Sequence, residues 1–500
     1  MRRTTLFFAA TLVLVGCASA PEKAIVNGTA SALGGADKIL AVNTLVIEGT
    51  GENGNLGQSQ NPDALNVLKV TESKRYIDFA GGRQRLEQTR IATFGAPNPQ
   101  PQKQNLGLDG DVAYNVAANG TATRAAAQVA KDRRMELYHY PIGALRAALG
   151  AGAQLSNPRK EGGEDAVDIA TAQGDKFTLF VDSGTKLPSK VVSMTSNNIN
   201  WPIGDATLET DFANYTDVNG LKLPGRITSK TDKFTTADIQ VSKNTVNGDV
   251  GNLAAPDAAK SAAAPDLPPP MVTSEEIAKG VWYLAGQSHH SVLVEFNDYL
   301  ALIEAPQNEA RTGAVLAKVK ELRPGKPLKY VVNTHHHFDH SGGVRRAMVE
   351  DGVTLITHAG NKEFFEEIAK RPSTMYPDLF SKAPKAPTIQ TVTDKYELKD
   401  ASRTLEIYHI PNVHSETMLI VYFPAERLLV EADLFNPPAP PAANAPPPAP
   451  NAPPPAAPFS PSVVQTVQKL GLRVDRIVPI HGPIVPYRDL QAAAARQQTS

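Results

Sequence analysis

The stretch "NTHHHFDHSGG", residues 333–343, holds four of the chain's eleven histidines: His335, His336, His337 and His340, with Asp339 among them. Imidazole nitrogen and carboxylate oxygen are the donors that zinc, iron and manganese accept. The segment just before, "LKYVV", reads as a short buried strand, so side chains entering the cluster alternate from one side to the other. His335 and His337 are therefore expected on one side, where two imidazoles grip one ion, and His336 on the other. Asp339 and His340 follow as the chain turns, placed for a second ion nearby. Ser341, Gly342 and Gly343 are expected to permit the tight turn.

Four ligands do not complete a two-metal site. Three further donors each close an apolar strand: His414 after "LEIYHIPNV", Asp433 after "RLLVEA" and His481 after "DRIVPI". The whole series, His335-x-His337-x-Asp339-His340, then His414, Asp433 and His481, resembles the ligand set of the metallo-β-lactamase superfamily over roughly residues 275–490. That resemblance implies a four-layer αββα sandwich and two Zn2+ ions, with iron or manganese as alternatives. His335, His337 and His414 would hold the first ion, and Asp339, His340 and His481 the second, with Asp433 bridging. Such a pair acidifies a water to a nucleophile near neutral pH, which Asp339, the candidate catalytic residue, would orient.

Hydrolysis is the reaction class this implies, on an ester, lactone, thioester or phosphodiester of a small molecule. A carboxylate at Asp433 resembles the glyoxalase-type, lactonase and phosphodiesterase branches, whereas true β-lactamases use Cys there or leave the position without a ligand. β-Lactam hydrolysis stays open as an alternative. A flavo-di-iron reading is disfavoured by His337, where those proteins carry Glu. Two positions depart from the common pattern. Glu304 stands where Asp is usual and is a candidate outer partner of a metal-bound histidine, and His414 sits in "VHSETM". His289 and His290 fall on a loop that lies near the metals in this superfamily, which makes them candidate substrate contacts or plain structural residues. His139, His358 and His409 read as ordinary fold residues.

The elements that must position these residues alternate between strand and helix from residue 271 onward, as an α/β layered domain over 271–490 requires. A proline-rich stretch, 437–461, interrupts that domain as an extended insertion. The first half differs. Residues 22–250 show a helix closed by Gly34-Gly35, then many short strands separated by turn pairs such as Asn119-Gly120 and Asn219-Gly220, with one helical stretch near 122–149. Its features "ASALGGADKILAVNTLVIEGTG" and "ANYTDVNGLKLPGRI" resemble the mostly antiparallel half-barrel of periplasmic lipoprotein carriers. That implies a concave face able to hold an apolar ligand, and a second reading of the chain as a non-catalytic, metal-containing lipoprotein. The Ala/Pro-rich segment 251–270 is expected to be an unpacked linker.

Residues 1–16 read as a signal peptide: Arg2 and Arg3 precede an apolar run too short to span a membrane. "LVGC" resembles the bacterial lipobox, which would make Cys17 a lipidated N-terminus and the chain an envelope protein, anchored at the outer membrane or periplasmic face. Cys17 is the sole cysteine, so the mature chain has neither a disulfide nor a thiolate ligand to offer. Fifty basic against fifty-one acidic residues give no electrostatic case for a nucleic-acid partner.

Overall fold

A computed structural model describes residues 20–94, 99–195, 204–265, 270–438 and 457–498. The signal peptide, Cys17 and most of the proline-rich insertion lie outside the described residues. No described helix is long and apolar enough to cross a membrane.

The first half builds one antiparallel sheet of thirteen strands, in which the first strand, Thr44–Asn55, pairs with the last, Phe234–Val246. The turn signals sit where the sequence placed them: Asn219 and Gly220 both take positive φ, 55° and 77°, as a two-residue hairpin turn requires. The expected single helix near 122–149 is instead a short strand, Ala122–Arg124, and two helices, Ala127–Tyr138 and Pro141–Leu149. Pro141 is the reason for the break, since it holds Tyr140 extended and starts the next helix at a position where its missing N–H costs nothing.

Those two helices and Pro21–Leu33 cover one face of the sheet. Leu33, Ile142, Leu145, Leu179 and Val191 share a single buried cluster there. The helix Ala127–Tyr138 and the residue after it touch strands far apart in the strand order. Arg133 donates to the carbonyls of Gly107 and Tyr114, and His139, just past the helix, bonds Thr210 and Ser193. A flat sheet would not let one helix do both, so the sheet curves around it. These helices fill much of the covered face with the chain's own side chains.

Within the segment 251–270, expected to be an unpacked linker, residues 253–261 are packed against the sheet. Leu253, Ala255 and Ala259 are buried against Tyr114, and residues Asp257–Ser261 form a helical turn. The Asp109 carboxylate accepts from the Ala255 N–H at 3.0 Å, and Tyr114 donates to the Leu253 carbonyl at 3.3 Å. Small side chains let the backbone lie close to the strands, which supplies polar partners that composition alone does not reveal.

The second half has two sheets, of seven and six strands. Val292, Ile303, Val332 and Ile356 of one meet Leu405, Val421, Val430 and Val478 of the other in a shared core. The outer face of the first sheet packs under helices carrying Val315, Val319, Phe365 and Ile368. The outer face of the second packs under helices carrying Val463, Val467 and Leu490. These are the four αββα layers. The two halves are also joined: Leu56, Ala206 and Phe234 of the first lie in the same cluster as Phe364 and Phe365 of the second.

Candidate metal centre

The site forms where strands of both inner sheets end. Strand Leu328–Val332 delivers residues 333–340, strand Leu428–Glu431 delivers Asp433, and strand Arg476–Pro479 delivers His481. His414 follows strand Thr404–His409 on a loop held by Asn412, whose side chain accepts from the N–H groups of His414 and Ser415. All seven expected residues come together in two adjoining groups, His335–His337–His414–Asp433 and His289–Asp339–His340–His481. Within each group the donor atoms lie within 4.8 Å of one another.

Asp433 stands at the centre. Its Oδ2 lies 3.1 Å from His335 Nε2, 3.0 Å from His340 Nε2 and 3.0 Å from His414 Nε2, while Oδ1 lies 2.7 Å from His481 Nε2. The turn that carries it puts Asp433 at φ 63°, an uncommon conformation for a residue with a Cβ. Glu431 supports that turn by accepting from the N–H groups of Leu434 and Phe435, and burial pushes its own carboxyl up to about 8.

The imidazole tautomers show whether these residues suit a cation. A neutral ring has one N–H and one lone pair, so a nitrogen facing an oxygen that only accepts must carry the hydrogen. His340 Nδ1 faces the Glu304 carboxylate at 2.8 Å, and His481 Nδ1 faces the Ser288 carbonyl at 2.8 Å. His337 Nε2 faces the Ser59 carbonyl at 2.8 Å. In each case the other nitrogen points inward: His337 Nδ1 with its lone pair, and the Nε2 atoms of His340 and His481 toward Asp433, where a cation would take the place of a hydrogen. His337 Nδ1 is buried with no hydrogen-bond partner, which is costly unless something positive sits beside it, and His335 Nε2 has only the Asp433 carboxylate, at 3.1 Å. The donor set fits divalent cations.

Electrostatics agree. Burial holds His335, His336 and His337 well below the ordinary histidine range, so they are neutral and able to ligate. Burial acts the same way on His340, but the Asp433 and Glu304 carboxylates outweigh it and raise His340. Burial alone would raise Asp339; the hydrogen bond from His289 and the nearby His340 instead hold it well below the usual carboxylate range. His335, His337 and His340 are wholly buried, whereas Asp339, His414 and His481 retain some exposure, so the centre opens on that side.

Glu304 occupies the outer position suggested for it. It is fully buried at φ 71°, and it also accepts from the Thr334 N–H at 2.7 Å, tying the metal strand to its neighbour. His336 turns away, edge-on to Phe364. His289 and His290 part company. His289 Nε2 reaches Asp339 Oδ2 at 3.0 Å, while its Nδ1 takes hydrogen bonds from Ser288 and Gln307. His290 is bound to the Gly286 N–H and packs on Tyr283, outside both groups. Gly342 and Gly343 serve a purpose other than the turn geometry expected of them, since their φ values, −62° and −99°, suit any residue. A Cβ on Gly342 would fall 2.0 Å from the Gln307 carbonyl, and one on Gly343 1.9 Å from Thr312 Oγ1. Close approach is what demands glycine here.

Sequence reasoning missed the contributors from elsewhere. Gln58 donates to Asp339 Oδ1 at 2.8 Å, and the buried Arg311 holds the His289 carbonyl at 2.9 Å. Phe459, where the chain returns from the proline-rich insertion, packs on the His414 ring at 5.1 Å between centroids. None lies near a motif.

Comparison with known proteins bears on the same region. Residues 285–481 match the family model of the Metallo-beta-lactamase superfamily. A hydroxyacylglutathione hydrolase of Pelagibacter ubique is 44% identical over 41 residues, which span 8% of this chain and 17% of that protein's length. Among solved structures, a metallo-beta-lactamase from Pontibacter korlensis is 20% identical with a TM-score of 0.34, the match covering 46% of this chain and 100% of that one. A metallo-beta-lactamase from Hirschia baltica is 18% identical with a TM-score of 0.33, covering 45% and 97%. Residues 285–481 are thus similar to the metallo-beta-lactamase superfamily, and they include the ligand series and its strand-end placement.

Proposed function

We propose that the C-terminal region is a metal-dependent hydrolase holding two divalent cations, zinc by the donor set, and acting on a small-molecule ester, lactone, thioester or phosphodiester. The observation that carries this reading is Asp433, whose two oxygens face four imidazole Nε2 atoms at 2.7–3.1 Å. A carboxylate so placed suits a bridge between two ions. His335, His337 and His414 would hold one ion, and Asp339, His340 and His481 the other. When bound, the ions polarise the scissile carbonyl or phosphoryl oxygen and lower the pKa of a water to near neutrality. Asp339, partly exposed and fixed by His289, would be placed to orient that water. The exposed edges of Asp339, His414 and His481 mark the side from which substrate enters. The name of the Pelagibacter ubique relative, a hydroxyacylglutathione hydrolase, supports an acyl substrate. Export and lipid anchoring through Cys17 complete the reading, supported by the "LVGC" motif after the apolar run.

The test is turnover by the purified, metal-loaded chain across esters, lactones, thioesters, phosphodiesters and β-lactams. Hydrolysis of at least one of these classes, abolished in a folded Asp433→Asn variant, is expected. A folded, metal-replete protein that turns over none of them would overturn the reading.

A further inference from the structure

We propose that the loop 56–61 of the N-terminal sheet is a positioning part of the metal centre, its Ser59 carbonyl fixing the His337 tautomer and its Gln58 side chain fixing Asp339. This rests on the reading of the cluster as a metal site. The loop joins strands Thr44–Asn55 and Asn66–Asp78, and belongs to the other half of the molecule. Leu56, 3% exposed, is sunk into the helical core of the C-terminal region, and Ser59, 2% exposed, is carried into the site.

Five contacts follow, each on a segment that bears a ligand. The Ser59 carbonyl lies 2.8 Å from His337 Nε2. A carbonyl only accepts, so the hydrogen sits on Nε2 and the lone pair on the buried, unpartnered Nδ1. Gln58 Nε2 donates to Asp339 Oδ1, so that with His289 on Oδ2 both carboxylate oxygens are held. The Gly57 carbonyl accepts from the Phe338 N–H at 3.2 Å. The Gln60 carbonyl accepts from the Glu416 N–H at 2.7 Å, and its side chain donates to the Val413 carbonyl at 3.2 Å, on either side of His414.

Docking between halves of a protein needs no such aim. Elsewhere the same interface is made by pairs remote from any ligand, such as Arg371 with Asp232 at 2.6 Å. The loop instead converges on two metal-bearing segments, 337–339 and 413–416. Outer partners of this kind typically change metal affinity by about 10–100-fold when removed.

The experiment uses the full chain. Zn2+ and Co2+ affinities are measured by chelator competition and the Co2+ absorption spectrum is recorded, with melting of the metal-free protein as the check on folding. Gln58→Ala should weaken the ion held by Asp339 by about tenfold and shift its Co2+ spectrum, with melting unchanged. The combined Gln58→Gly, Ser59→Gly and Gln60→Gly variant should weaken both ions. Lys233→Ala, which removes the ion pair to Asp63 at the far end of the loop, should leave affinity within twofold of wild type. Should the glycine loop fail to fold, Gln58→Ala decides alone. Wild type binding two ions while Gln58→Ala binds them with equal affinity and an unaltered spectrum overturns the inference. A wild-type chain that binds no ion fails the metal reading itself, and the inference with it.

Discussion

His139 in the N-terminal half and His337 in the C-terminal half are both buried, yet they do opposite things with their nitrogens. His139 has each ring nitrogen 2.8 Å from a hydroxyl, Thr210 on one side and Ser193 on the other, and burial pushes its pKa down to about 4. His337 gives Nε2 to a carbonyl and leaves Nδ1 buried with no hydrogen-bond partner. Burial depresses both rings, so burial does not separate a fold histidine from a ligand. Convergence does: His337 aims its unpartnered nitrogen at the same place as neighbouring rings and Asp433, whereas the equally unpartnered Nε2 of His336 lies outside both groups.

That comparison breaks first if the two residues respond alike to removal. His337→Ala should lower kcat/KM by about 10³-fold or more, because the ions supply several kcal/mol of transition-state stabilisation. His139→Ala should leave metal content unchanged, and steady-state kinetics beside metal analysis checks both.

Acid should act on His139 through the fold. Its pKa is near 6.5 in the unfolded chain and about 4 in the folded one, so the unfolded state takes up the proton first as pH falls. The neutral ring's stabilising effect is complete above about pH 6.5 and declines between there and pH 4, by about 3 kcal/mol in all. Urea unfolding of the metal-free chain across that range measures it. His139→Gln should remove this part of the slope; an unchanged slope would mean that another group is responsible.

The smallest expected effect sharpens the comparison at an outer residue. Glu304→Gln keeps the shape but gives His340 Nδ1 a weaker partner, and should lower affinity for the second ion by about tenfold or somewhat more. Chelator competition reads it. An unchanged affinity would make Glu304 a mere prop of the Thr334 backbone.

What was legible in the sequence follows the same division. His335, His337, Asp339 and His340 lie within six positions, and His414, Asp433 and His481 each follow an apolar strand, so local pattern was enough to assemble them. Alternating strand and helix pointed to an α/β layered domain, and the αββα order came from the family resemblance. Gln58 and Ser59 were hidden because their contribution is one amide and one backbone carbonyl, brought 281 and 278 residues along the chain to their partners. The break at Tyr140-Pro141 was visible in principle, since proline restricts the residue before it. The packing of 251–262 was not, because Ala-rich composition says nothing about polar partners such as Asp109.

The claim on which all of this rests is that the buried nitrogens of His335 and His337, with Asp433 between the two groups, exist to hold cations. Metal analysis of the purified, folded, full-length chain tests it most directly. Two divalent ions per chain are expected, falling to one or none in His337→Ala and Asp433→Asn. A folded wild-type chain that takes up no divalent metal after dialysis against zinc, iron or manganese would contradict it.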